Sequence, residues 1–104
     1  MYSINNETWY IKFVPPYSDF LRRSDGSHAL GVTDDNTKTV YINNTLRGHY
    51  LKKVLCHEIA HTAMFAYNVE LTIQQEELLA DLIATYGEEI IHVTNTLFGK
   101  LRER

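Results

Sequence analysis

A chain of 104 residues has room for one domain built on one core. Its 44% apolar and 22% charged residues are ordinary for a folded globular protein, and a net charge of -3 with no block of Lys and Arg gives no footprint for a nucleic-acid partner. No apolar run approaches the roughly 20 residues that cross a bilayer, Met1-Tyr2-Ser3-Ile4 lacks a secretory signal pattern, and the single Cys56 excludes an internal disulfide. The expectation is one soluble domain over 1–104, cytoplasmic, with no membrane contact.

In chain order, Trp9, Ile11 and Phe13 alternate with Tyr10, Lys12 and Val14 at the period of a strand, and Pro15-Pro16 stops it. Ser18-Asp19 offers an N-cap for a short helix through Leu21 and Arg22, and Ser24-Asp25-Gly26 is a turn. A second strand is expected from about His28 to Thr33. Asp34-Asp35-Asn36 turns the chain into a third, Thr39-Val40-Tyr41-Ile42, so these two form a hairpin.

Beyond Asn44 helix formers dominate, a segregation that points to an α+β fold. A long helix is predicted from about Leu46 to Tyr67, with Leu55, Ile59, Ala63 and Ala66 on one side. Tyr50, Val54, His57, His61 and Met64 lie roughly opposite, and Asn68 is the stop. Thr72-Ile73-Gln74-Gln75 reads as a capping box opening the next helix, whose core face is Leu78, Leu79, Leu82 and Ile83. Gly87 either kinks that helix or separates it from a last one carrying Ile90, Ile91, Thr94, Leu97 and Leu101.

The informative motif is His57-Glu58-Ile59-Ala60-His61. Residues i and i+4 stand one above the other on a helix, so both imidazoles reach one ion at the roughly 2.0–2.1 Å that zinc prefers. Glu58 is displaced round the helix, too far to ligate but placed as a general base for water activated by the ion. Two protein ligands rarely suffice for catalytic zinc, so a third is expected downstream. Met64 and Tyr67 exclude a histidine-and-glycine continuation of the motif within the same helix.

The next helix offers Glu76, Glu77 and Asp81. Glu77 and Asp81 share a face, whereas Glu76 points about 100° away from Glu77. Our assignment is Glu77 as ligand, with Glu76 as the alternative. Asp81, set inside Leu78-Leu79-Ala80-Asp81-Leu82-Ile83, accepts a hydrogen bond from the back nitrogen of His57 or His61 and fixes its tautomer. Zinc is inferred from ligand type; two His and one carboxylate also suit other divalent ions.

His57-Glu58-x-x-His61 followed by Glu77-x-x-Ala80-Asp81 resembles the gluzincin zinc peptidases, the large class to which thermolysin belongs. The length is similar to that of minimal gluzincins and of the ImmA/IrrE-type peptidases of phages and mobile elements. The likeness covers about Ala29 to Tyr86. It implies a zincin-like fold: a small three-stranded N-terminal sheet on an active-site helix, a glutamate helix and a C-terminal helix. It also implies that Ala29-Leu30-Gly31 forms the cleft's upper edge, alongside which an extended protein or peptide substrate adds as a further strand. The sixteen-residue interval from His61 to Glu77 is short for the class, which keeps Glu76 open as the ligand.

The expected chemistry is peptide-bond hydrolysis, with Glu58 relaying a proton from the attacking water to the leaving amine. An oxyanion donor would come from His28, Tyr67, Tyr86 or His92. His49 and Cys56 lie off the cleft face. The competing readings are a metal-binding regulatory or partner-binding module without turnover, and a latent enzyme with a terminal segment in its own cleft.

Overall fold

A computed structural model describes residues 1–102. Four strands, β1 (Tyr2–Ile4), β2 (Glu7–Val14), β3 (Gly31–Asp34) and β4 (Thr39–Asn43), precede two helices, α1 (Gly48–Ala66) and α2 (Ile73–Leu101). The fold is α+β as expected, but the sheet has four strands, in the order β1-β2-β4-β3. The additional strand pairs with β2 through a two-residue turn, Asn5-Asn6, both at positive φ (49° and 62°). Asparagine tolerates that left-handed conformation, and the turn's hand suits the twist of a hairpin.

β3 and β4 form the expected antiparallel hairpin, whereas β2 and β4 run parallel. The chain therefore leaves β2, crosses to the far edge as β3, and returns to the centre as β4. A central strand is covered on both faces, and Val40, Tyr41, Ile42 and Asn43 are all buried. Val40 and Ile42 pack with Ile11 against Leu51, Val54 and Leu55 of α1. On the other face Tyr41 packs with Val14 and Leu21 beneath the 3-10 turn Asp19–Leu21, and the Phe20 ring stacks on it at 4.3 Å. Trp9 and Ile11 face the helix as the alternation predicts. Phe13 instead stays 54% exposed while Val14 is buried, because the second face also has a cover.

α1 ends as predicted. Tyr67 is the C-cap, Asn68 takes φ 52°, and the amides of Val69 and Asn68 donate to the carbonyls of Met64 and Phe65, a Schellman closure. Four residues later Thr72 opens α2 with both bonds of its capping box in place. This short connection folds α2 back onto α1, where Ala80 and Ile83 meet Ala60 and Met64. Since α2 contacts the rest of the fold chiefly through α1, its cap matters. Thr72→Ala is expected to cost about 1 kcal/mol, read as a lower urea midpoint at unchanged slope.

Gly87 neither kinks nor divides α2, which runs unbroken for 29 residues. The separate glutamate and C-terminal helices expected from the sequence are one element. A glycine costs a helix only about 1 kcal/mol, which the continuous apolar pattern on either side outweighs. At 1.5 Å per residue the helix is about 43 Å long, and it stretches the molecule to 56 Å.

Candidate metal centre

α1 carries His57, Glu58 and His61, and α2 supplies the acids opposite them. His57 and His61 turn their Nε2 atoms toward each other at 3.1 Å. Glu77 reaches both, Oε2 at 3.2 Å from His57 Nε2 and Oε1 at 3.0 Å from His61 Nε2. Three donors on a tetrahedral ion with 2.0–2.1 Å bonds sit about 3.3 Å apart. The observed Nε2–Nε2 separation is close to that edge length, and each Nε2 has a different Glu77 oxygen at a similar distance.

Behind the imidazoles, His57 Nδ1 donates to Asp81 Oδ1 at 2.9 Å and His61 Nδ1 donates to Glu76 Oε1 at 2.8 Å. A carboxylate only accepts, so both Nδ1 atoms carry hydrogen, which turns each Nε2 inward as the nitrogen that could ligate an ion. Two imidazole nitrogens and a carboxylate then converge on one point. Four carboxylates surround the pair in all, counting Glu58. A divalent cation would satisfy the three inward donors and offset part of this charge, so the residues present fit such an ion. Three protein donors also leave one position open, the pattern of catalytic rather than structural zinc.

The arrangement separates the roles of neighbouring acids. Glu77 is the residue grouped with His57 and His61 as a possible metal ligand, while Glu76, the alternative, is turned to the back of His61. Asp81 backs His57 of the two histidines. Glu76 as the partner of His61 is the role that sequence reasoning missed. The signal was present: two ligand histidines need two acceptors, and Glu76 and Asp81 flank Glu77.

Glu58 is buried, with Oε2 3.9 Å from His57 Nε2, outside the ligand set. Its Oε1 accepts a hydrogen bond of 2.8 Å from the Thr33 hydroxyl on β3. Burial pushes the Glu58 carboxyl above the ordinary glutamate range; the Thr33 bond and the positive charge available on His61 and His57 oppose that rise. Thr33 has no signature in the motif spacing, and only the register of β3 against α1 reveals it. Gly31 is the other strand contact: a Cβ built there would lie 2.8 Å from Glu58 Cγ. Glu58 occupies the volume that a side chain at position 31 would fill.

β3 is an outer strand of the sheet, and Gly31 is its first residue; Ala29 and Leu30 precede it, in irregular backbone. The ladder still extends past it, since Asn43 donates its amide to the Leu30 carbonyl. Two adjoining recesses of about 380 and 350 Å³ meet over the centre, sharing Arg23, Gly31, His57, Glu58 and Glu77. One continues past Val32 and Phe65, the other past Leu30, Tyr50 and Lys53. None of His28, Tyr67, Tyr86 and His92 lines either recess. Arg23, carried there by the turn around Gly26 (φ 88°), does, and it had not been singled out. Among the described residues, none before Arg23 or after Ala84 lines the cleft. Among the described residues, no helix is long and apolar enough to cross a membrane.

Compared with protein-family models, with curated proteins and with solved structures, the chain matches none. The reading of this centre therefore stands on its residues and their geometry.

Proposed function

We propose that this chain is a zinc-dependent peptidase with a zincin-like fold, of the gluzincin kind that its paired motifs resemble. The observation that carries the reading is the convergence of His57 Nε2, His61 Nε2 and Glu77 beside a buried, strand-held carboxylate that is not a ligand. His57, His61 and Glu77 would hold the ion. The chemistry an ion supplies there is Lewis-acid polarisation of a carbonyl and acidification of water.

The chain's own residues do the rest. The outer edge of β3 offers backbone groups to an extended peptide, laying the scissile bond across the junction of the two recesses. Glu58 takes the proton of the attacking water on Oε2, because Thr33 engages Oε1, and returns it to the leaving amine nitrogen. Its raised pKa suits the task, since a base poised nearer neutrality both accepts and donates. Arg23 is the donor we assign to the developing oxyanion, in place of the His and Tyr candidates expected from the sequence.

Thr33→Val keeps the shape of the side chain and removes the hydroxyl. The carboxylate of Glu58 then loses a stabilising bond, so the acid limb of the kcat/KM profile moves to higher pH, with kcat/KM about tenfold lower at neutral pH. A profile unchanged from wild type would show that Thr33 does not govern the base.

The function itself is tested by stripping the protein with a chelator, adding back Zn2+ and incubating each form with a peptide library read by mass spectrometry. Cleavage by the zinc-loaded form alone is expected. A protein that binds zinc stoichiometrically yet cleaves nothing would favour the metal-binding regulatory module instead.

A further inference from the structure

The apolar pattern of α2 outlasts its packing. Ile83, Ile90, Leu97 and Leu101 fall on one line along the helix, flanked by Tyr86 and Val93 on one side and Ile91 and Phe98 on the other. The N-terminal part of this stripe is covered by α1, where Ala80 and Ile83 pack. Beyond it the cover ends: Tyr86, Ile90, Ile91, Leu97, Phe98 and Leu101 are each 52–59% exposed. The chain's radius of gyration, 15.7 Å, exceeds the about 13 Å of a compact chain of this length because this half-helix projects. Those side chains expose on the order of 700 Å² of apolar surface, more than a typical monomer leaves in one patch.

We propose that this face is a self-association surface, and that two copies of the chain pair through antiparallel α2 helices crossing near His92. Charge sets the direction. Apart from the acids turned to the metal centre, α2 carries Glu88 and Glu89 before the crossing, and the chain carries Lys100 and Arg102 beyond it. Antiparallel pairing lays each basic end beside the partner's acidic stretch, whereas parallel pairing opposes like charges. Shape agrees. The crossing sets Leu97 over Gly87 of the partner subunit and Leu101 beside Ile83 of the partner subunit. There an apolar groove of about 600 Å³ lies between α1 and α2, lined by Cys56, Leu82, Ile83 and Gly87. The absence of a side chain at Gly87 makes room for the leucine. Two copies would bury on the order of 1,400 Å², within the range of stable specific interfaces. An anionic membrane is the poorer occupant, because Glu88 lines the same groove.

Sedimentation equilibrium of the full chain at micromolar concentration is expected to give twice the 12.1 kDa monomer mass. Leu97→Glu, at an exposed position remote from the metal centre, is expected to return it to 12.1 kDa with undiminished helical circular dichroism. Direction is read by oxidative cross-linking in a Cys56→Ser background. Val93→Cys, close to the crossing point, should link to its own copy, and Leu101→Cys should not. A wild-type chain that stays monomeric, or a Leu97→Glu chain that stays dimeric, overturns the proposal. Self-linking at Leu101→Cys identifies a parallel pair and overturns it equally.

Discussion

Glu58→Gln is expected to lower kcat for peptide hydrolysis by about 10²–10⁴-fold while zinc binding stays stoichiometric. The amide preserves the volume beside Gly31 and can still accept the Thr33 hydrogen bond, but it cannot take a proton from water. The same substitution should raise stability. Burial lifts the Glu58 pKa in the folded chain, so the fold prefers the protonated acid and loses stability as pH rises through that raised value. A neutral glutamine removes the penalty. The metal-free variant is expected to gain on the order of 1 kcal/mol at neutral pH, a gain that disappears below the ordinary glutamate pKa, where wild type is protonated in both states. Denaturant melts at neutral and acid pH measure both limbs. Retained turnover in the variant would remove Glu58 from the role of base.

The second large effect concerns the acids of α2, which stand close together and are expected to respond differently. Asp81→Asn and Glu76→Gln each leave the inward donors in place and loosen one imidazole, so zinc affinity should fall about 10–100-fold. Glu77→Gln removes the charge of a direct ligand and should cost more than either. Competition against a zinc-chelating indicator ranks the three. A larger loss for Glu76→Gln than for Glu77→Gln would exchange the two assignments. The helix phase argues against that exchange, because Glu76 Oε1 bonds to the far nitrogen of His61 while Glu77 touches the inward nitrogen of both histidines.

The helical half of the chain was the more legible. His57, Glu58 and His61 sit four residues or fewer apart, so their relation follows from helix geometry alone, and Glu77 and Asp81 follow once a second helix is granted. Asn68 and the Thr72 capping box mark their own ends because their backbone chemistry is local. The residues that escaped are those whose meaning depends on contacts distant in the chain. Thr33 lies 25 residues from Glu58, Arg23 arrives on a turn, and β1 exists only because Asn5-Asn6 reverses the chain onto β2. The division of α2 at Gly87 failed for the opposite reason: a local rule was applied where continuous packing and amphipathicity prevail.

The bare backbone at position 31 has one last implication. Because the Glu58 side chain is wedged where a methyl group would otherwise stand, the carboxylate has few orientations to lose before it acts. In the proposed peptidase much of the ordering cost would thus be met during folding, by a strand and a helix brought into close apposition, and would not be met again each time a substrate arrives.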